Sequence, residues 1–311
     1  MARKRKIYFK EWAAEWLILV KPTVKGNTFA ASYKNPVQNH IIPYFGNKQL
    51  TEIRQSDLQE YLNMLAGEYS LDTVKKHKSC LTQMFNEAID NDLCIKNPTR
   101  KLKTPKTKES EEKSIYTEEQ SALVFKYAYL HRFGAEIQFL LETGVSRSEL
   151  LALKWKDVDF TTRIVYIRNG AAIVPNAATG KLETILGSPK NKYRKRAIPI
   201  SHILTRILGG LSQQSEYVFC NINGEVHNPR TWARRHFDVF MRDMNEHYFL
   251  KGIDIPVVNP HQLRHTRASG LVNGGKNLHA TAKYMGWADL KMLQRYVHSD
   301  VEDVRRQLGI I

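Results

Sequence analysis

The chain is 311 residues long, and its 42% apolar and 25% charged residues are typical of a folded protein of about two domains. A formal net charge of +16 predicts a polyanionic partner, and nucleic acid fits better than a membrane because no single basic amphipathic helix dominates. The sequence has no apolar run long enough to cross a bilayer, so no membrane partner is expected.

The three cysteines, Cys80, Cys94 and Cys220, are far apart and odd in number. Their spacing argues against a disulfide framework and against a zinc site, and it fits a reducing compartment. The basic N-terminus is not followed by the apolar stretch of a secretory signal. We therefore expect a cytoplasmic, nucleoid-associated protein.

Residues 7–95 are predicted to be helical. The segment FKEWAAEWLILV carries large apolar side chains three and four positions apart, which is the pattern of an amphipathic helix. Ser56 is the predicted N-cap of a second helix, and an apolar stripe from Val74 to Ile89 predicts a third. Residues 1–108 hold 19 Lys and Arg against 10 Asp and Glu, a net charge of +9. We expect a small basic helical domain over residues 1–100.

Residues 101–115 are predicted to form a linker, because this stretch is charged, contains proline and has almost no apolar residues. Thr117 and Gln120 then have the spacing of a capping box, which predicts a helix start. The predicted second domain covers residues 116–311, with its first helices at 118–131 and 134–142.

The second domain is predicted to mix helices with a small antiparallel sheet. Residues 160–201 are rich in β-branched side chains and are broken by Asn-Gly and Thr-Gly pairs, which predicts strands and turns. From about residue 228 to 309 the apolar pattern is helical again. The predicted fold class is mainly α with a small antiparallel sheet.

Four segments of this domain carry reactive side chains. HQLRHTRAS places His261 and Arg264 on one helix face, since residues three apart are neighbours there. GWADLKMLQRYVHSD places Trp287 nine residues before Tyr296. The other two segments are SPKNKYRKRAIPI, a predicted hairpin with lysines in its turn, and LETGVSRSELLALKWKDVD. Each segment alone is weak evidence of function.

In order and spacing, these four segments together resemble the catalytic motifs of tyrosine recombinases of the phage-integrase type. The resemblance extends over almost the whole chain. HIIPYFGNKQLTEI and NEAIDNDLCIKNP resemble parts of the family's helical core-binding domain. The resemblance implies a helical core-binding domain followed by an α+β catalytic domain.

The resemblance implies a reaction in which a tyrosine attacks a DNA phosphodiester, giving a 3′-phosphotyrosine and a free 5′-hydroxyl without metal, ATP or cofactor. Tyr296 would be the nucleophile. Arg264 can hold the phosphate with a bidentate fork, and His261 can donate a hydrogen bond and help to move the proton of the tyrosine. Trp287 can donate its indole N–H to a phosphate oxygen.

The general acid for the leaving oxygen is expected to be Lys190, with Lys192 as the alternative. Glu149 occupies the position of the family's supporting acidic residue. The position of the family's first catalytic arginine, however, is Ser146. Arg147 follows it, but one residue is about 100° of helix rotation, so its side chain should point elsewhere.

Three explanations of Ser146 stay open. Ser146 and Glu149 can form a capping box, and the helix N-terminus can then direct N–H groups at the phosphate. Arg147 can take over through a local backbone shift. The third explanation is an impaired site, through drift or deliberate substitution, with a barrier raised by about 3–4 kcal/mol by analogy with a lost oxyanion donor.

The function implied by the resemblance is site-specific recombination or integration of a mobile element. The expected partners are double-stranded DNA attachment sites held between the two domains, a homo-tetramer on that DNA, and an accessory DNA-bending or directionality protein. One alternative is a catalytically impaired DNA-binding protein at attachment or promoter sites, which Ser146 favours. A type IB topoisomerase shares the chemistry, but the two-domain layout makes it a weaker alternative.

Overall fold

The computed structural model describes residues 6–24, 26–107, 114–176, 179, 181–187 and 192–293. The chain divides into two compact units, Met1–Glu112 and Lys113–Ile311. The division falls inside the predicted linker, and the exact domain bounds 1–100, 101–115 and 116–311 stay predictions. Among the described residues, no helix is both long and apolar enough to cross a membrane.

The first unit is helical in its described part. Its α-helices are α1 (Phe9–Val20), α2 (Gly26–Phe29), α3 (Ile42–Phe45), α4 (Gln55–Glu68) and α5 (Leu71–Asp90). Two π-helical turns, Ala30–Lys34 and Val37–Ile41, lie between α2 and α3, and 3-10 turns follow α1 and precede α4 at Lys21–Thr23 and Leu50–Glu52.

The apolar spacing of α1 explains how the first unit packs. Phe9, Trp12 and Trp16 lie on one face of the helix and are fully buried. The Trp12 indole donates a hydrogen bond of 3.0 Å to the main-chain oxygen of Met84 in α5. Because that oxygen belongs to a different helix, the bond fixes the position of α1 on α5 and satisfies a buried donor.

The predicted start of α4 was wrong. The helix begins at Gln55, and its N-cap is Arg54 instead of Ser56. The Asp57 carboxylate accepts the main-chain N–H of Arg54 at 3.1 Å, a bond that a charged acceptor at a helix N-terminus strengthens. This hydrogen bond from Arg54, together with the charge of Lys48 at 3.4 Å, outweighs burial and holds the pKa of Asp57 below its usual range.

The second unit contains eight α-helices among the described residues. They are α6 (Glu118–Ala128), α7 (Gly134–Thr143), α8 (Arg147–Leu151), α9 (His202–Gly209), α10 (Pro229–Trp232), α11 (Asp238–Phe249), α12 (Pro260–Asn273) and α13 (Leu278–Met285). The predicted capping box at α6 is confirmed, because Thr117 and Gln120 accept each other's main-chain N–H groups at 3.1 Å. The π turn Ala233–Phe237 joins α10 to α11.

The strands of the second unit form two antiparallel sheets. The strands are β1 (Val158–Asp159), β2 (Ile164–Ile167), β3 (Gly170–Pro175), β4 (Leu182–Gly187) and β5 (Arg196–Pro199). One sheet has the order β1-β2-β5, and the other pairs β3 with β4. Val165, Ile167 and Ile198 point from the first sheet into the core. The predicted fold class, mainly α with a small antiparallel sheet, is confirmed.

The predicted hairpin around Lys190 was wrong in its pairing. The chain between β4 and β5, residues 188–195, is called the lysine segment below. The strand after it, β5, pairs with β2 through Val165 opposite Ile198, whereas β4 pairs with β3. The lysine segment therefore connects two sheets. The physical reason is the alternating burial of β5, whose inward residues are Arg196 and Ile198; Ile198 extends the buried apolar face of β2.

Candidate active site

The first motif begins where α7 ends at Gly144. This glycine has φ +62°, a left-handed conformation that favours glycine, and a Cβ atom on it would also lie 3.0 Å from the end of the Met285 side chain, which would have to shift. The turn directs the Gly144 carbonyl at Arg264, whose Nη1 donates to it at 2.6 Å. The chain then enters α8 with Ser146 as N-cap.

Arg264 lies where three of the four motifs meet. It is one turn into α12 and only 3% exposed. Its guanidinium also donates to the main-chain oxygen of Met285, at the end of α13, and stacks 5.5 Å from the ring of Trp287. Because its contacts come from two distant parts of the chain, around Gly144 and around Met285, the charge is held in one position.

Glu149 joins Arg264 to a second buried arginine. Its carboxylate accepts from Arg196 Nη1 at 3.1 Å and Nη2 at 3.3 Å, and it lies 3.9 Å from Arg264 Nη1. It also accepts the main-chain N–H of Ser146 at 2.8 Å. Burial opposes its ionisation, but the charges of both arginines and these hydrogen bonds outweigh burial and lower the pKa of Glu149.

Arg196 is a site residue that the sequence analysis missed. Its Nε donates to the Tyr284 main-chain oxygen at 2.7 Å, and it packs against Gly286, where any Cβ would lie 3.0 Å from the guanidinium. The sequence feature that could have identified it is the alternation of side chains along β5, which places Arg196 on the same buried side as Ile198. An arginine on a buried face requires a carboxylate partner, and Glu149 is that partner.

His261 and Trp287 lie on either side of Arg264 in the sequence and near it in the fold. His261 is exposed on the first turn of α12, which Asn259 caps by accepting the His261 main-chain N–H at 2.9 Å. Its ring contacts that of His265, 4.4 Å away and edge-on. Trp287 is half-buried, directly after the left-handed Gly286 that ends α13. An exposed imidazole close to a buried guanidinium can reach a phosphate that the arginine attracts.

The structure bears on the three explanations of Ser146. The Glu149 half of the capping box is present, and the Ser146 hydroxyl lies 3.1 Å from the Ser148 hydroxyl. The helix it caps, α8, has only five residues, so its dipole is small. Arg147 is half-buried, and burial together with the charge of Arg230 lowers its pKa. The charge that acts on Arg147 is thus that of another cation.

Two predicted residues, Tyr296 and Lys190, lie outside the described part of the chain. Lys192 begins a 3-10 turn, Lys192–Arg194, that leads directly into β5 and Arg196. The described residues therefore form a positively charged centre with one carboxylate, two buried guanidiniums and an exposed imidazole. Such a group of fixed cations is suited to a phosphate that gains charge in a transition state.

Comparison with protein families identifies both units. A model of the phage integrase family matches residues 106–303. A model of the phage integrase N-terminal SAM-like domain matches residues 8–66.

Two sequence relatives cover most of the chain. The transposase from transposon Tn916 of Enterococcus faecalis is 26% identical over 283 residues, which are 85% of this chain and 67% of the relative. A tyrosine recombinase XerC-like protein of Caldanaerobacter subterraneus is 24% identical over 314 residues, covering 91% of this chain and 77% of the relative.

A similar fold is found in the Tn1549 transposon integrase, solved in complex with a circular intermediate DNA. The TM-score is 0.79 at 20% identity, over 97% of this chain and 99% of that chain. Together, these matches give no support to the alternative of a catalytically impaired DNA-binding protein.

Proposed function

The chain belongs to the phage integrase family, and we propose that it recombines DNA site-specifically for a mobile element through a 3′-phosphotyrosyl intermediate. The predicted family is thus confirmed, and so is the enzyme class, a tyrosine-type recombinase that cleaves and rejoins DNA strands. The observation that supports the reaction most is that the Arg264 guanidinium, itself part of one motif, is contacted from two other motifs far away in the sequence.

In the proposed reaction, the Tyr296 oxygen attacks the phosphorus and the 5′-oxygen leaves. The proton of the tyrosine passes to the His261 imidazole, and the leaving oxygen receives a proton from Lys190 or from Lys192. Arg264 stabilises the added negative charge, and Trp287 donates its indole N–H to a phosphate oxygen. The electrons of the broken P–O bond remain on the leaving oxygen, which takes up the donated proton as a 5′-hydroxyl.

Glu149 and Arg196 act in this proposal by positioning Arg264. The carboxylate is placed between the two guanidiniums, so it offsets their mutual repulsion and keeps both inside the fold. Arg196 additionally anchors the strand that follows the lysine segment. A change in Glu149 or Arg196 should therefore affect the reaction by altering the position of Arg264.

Ser146 leaves the site with one cation fewer than the family pattern. We propose that the enzyme cleaves DNA with Ser146 in place, using Arg264 and the lysine segment for most of the charge stabilisation. An arginine at this position would start beside Glu149, because the Ser146 main chain already contacts that carboxylate. Its addition should lower the barrier, by about 3–4 kcal/mol at most.

The proposed substrate is a double-stranded attachment site, contacted by both units and acted on by a homo-tetramer in the cytoplasm with an accessory DNA-bending or directionality protein. Exposed lysines and arginines of the first unit support DNA contact, among them Lys75, Lys76, Lys96, Arg100 and Lys101. Cations on a solvent-exposed surface bind a DNA backbone by releasing its counterions.

A nicked suicide substrate tests the proposal. The substrate carries the DNA ends of the mobile element, and a nick near the cleavage point lets the short leaving strand diffuse away so that the covalent complex accumulates. We expect a protein–DNA adduct on a denaturing gel with the natural sequence, none with Tyr296→Phe, and more with Ser146→Arg. If DNA binds but neither the natural chain nor Ser146→Arg gives an adduct, the proposed function is wrong.

A further inference from the structure

A second group of ionisable side chains lies in the catalytic unit and shares no residue with the Arg264 site. Glu136 in α7, His227 ahead of α10 and His236 in the following π turn each offer one ligand atom, and these atoms lie within 4.8 Å of one another. Glu136 and His227 are buried, and His236 is half-buried. None of these residues has a part in the proposed reaction.

His227 provides an independent indication of a ligand. The residue is 6% exposed, and its Nε2 is fully buried without a hydrogen-bond partner. Its ring meets that of His236 edge-on, with centroids 4.6 Å apart. A buried nitrogen without a partner is unusual in a folded protein, and a bond from its lone pair to a metal ion would satisfy it.

The other two ligands are oriented by surrounding groups. The buried Trp232 indole donates to Glu136 Oε2 at 2.8 Å, and His236 Nδ1 lies 3.0 Å from Glu136 Oε1. The His236 ring also stacks on Phe133, with centroids 4.1 Å apart and planes 21° apart. The contacts with Trp232 and Phe133 come from outside the ligand group and hold the ligands in a fixed orientation, whereas the contact between His236 and Glu136 joins two of the ligands directly.

We infer that Glu136, His227 and His236 form a binding site for a divalent transition metal, with Zn²⁺ as the best chemical match. Two imidazoles and one carboxylate are a usual zinc ligand set, and a water molecule can complete a tetrahedron. None of these ligands is a cysteine, so the spacing of the cysteines has no bearing on this site.

The site has a structural consequence for the enzyme. The site ties α7 to the turn before α10 and to the π turn after it. About ninety residues of chain separate α7 from the other two segments. Because α7 leads directly into Gly144 and Ser146, a bound ion would stiffen the support of the first catalytic motif. The ion does not enter the cleavage reaction.

Zinc binding can be measured on the full chain without DNA. The protein is first stripped with a chelator, and Zn²⁺ is then titrated in competition with a chromophoric chelator. We expect one tightly bound Zn²⁺ per chain and a higher thermal midpoint in its presence. His236→Asn keeps an amide N–H near Glu136 but removes the imidazole ligand, so we expect binding at least about 100-fold weaker.

The matched control is His131→Asn. His131 Nε2 also lies near a carboxylate, 3.3 Å from Asp243, but it belongs to no three-ligand group among the described residues. This variant should bind Zn²⁺ as the natural chain does. Absence of stoichiometric binding to the natural chain, or equal binding by both variants, would overturn the inference.

Cobalt substitution gives a test that needs no variant. Co²⁺ bound by two imidazoles and a carboxylate should show the visible absorption of a tetrahedral ion, without a thiolate charge-transfer band. A strong thiolate band would assign the ion to a cysteine, and a spectrum like that of aqueous Co²⁺ would exclude this ligand set. Either spectrum would overturn the inference while leaving the proposed recombination reaction untouched.

Discussion

Replacing Glu149 by glutamine should destabilise the catalytic unit strongly. The carboxylate is 2% exposed, and the side chains of Arg196 and Arg264 around it are 3% and 4% exposed. Removing one partner from a buried ion pair costs about 3–5 kcal/mol, because the remaining charge stays buried without compensation. Glutamine retains an oxygen that can accept from Ser146, so we expect the lower end, about 3 kcal/mol.

Hydrogen exchange in the second unit measures this loss. Each loss of about 1.4 kcal/mol in the free energy of unfolding raises the rate of exchange through global opening about tenfold. Amides of α7 and α12 that exchange by this route should therefore exchange about 150-fold faster in Glu149→Gln. In the double variant Glu149→Gln/Arg196→Met, the loss should be smaller than the sum of the two single losses, since no guanidinium of Arg196 is left uncompensated.

The matched control for this prediction is Glu216→Gln. Glu216 lies 2.8 Å from Lys154, a separation similar to that in the buried pair, but its side chain is 58% exposed. Water screens such a pair, so its removal should change exchange far less. If Glu149→Gln has no larger effect than Glu216→Gln, or if the losses in the double variant are additive, the buried cluster is not a coupled unit.

Three further predictions concern pH, charge and DNA. The folded pKa of Glu149 lies below its unfolded value near 4.5. Its contribution to stability is therefore complete above that pH and is lost as the pH falls through the folded pKa. Acid unfolding, followed by circular dichroism, should show a weaker pH dependence in Glu149→Gln. Arg196→Met should slow adduct formation while leaving DNA affinity in gel shifts unchanged, whereas equal losses of both would contradict a positioning role. DNA affinity should fall by a factor of about 10³–10⁵ between about 50 and 200 mM salt, and a flat salt dependence would exclude phosphate contacts as its main source.

The local parts of the fold could be predicted from the sequence. The spacing of Phe9, Trp12 and Trp16 identifies α1, because a helix buries residues three and four apart. The capping box at Thr117 is likewise local, since its two hydrogen bonds join residues three positions apart. The start of α4 was missed because its N-cap, Arg54, has no short polar side chain of the kind that marks a helix start, and the Asp57 carboxylate satisfies the Arg54 main-chain N–H from inside the first turn.

The non-local parts of the site could not be read from the sequence in the same way. The pairing of β5 with β2 joins residues about thirty positions apart, and the contact of Arg196 with Glu149 depends on it. Glu136, His227 and His236 lie on separate elements and show no common spacing. The motifs of Arg264 and Trp287 were identifiable through the family resemblance, but their contact is a product of packing between α12 and α13.

The identity of the covalent link tests the central claim most directly. The adduct from the suicide substrate is digested with trypsin and nuclease, and mass spectrometry locates the peptide that carries the nucleotide. Arg295 and Arg305 define a tryptic peptide, residues 296–305, in which Tyr296 is the sole tyrosine. We predict the nucleotide mass on Tyr296 through a 3′-phosphate, and a nucleotide on any other residue would contradict the proposed reaction.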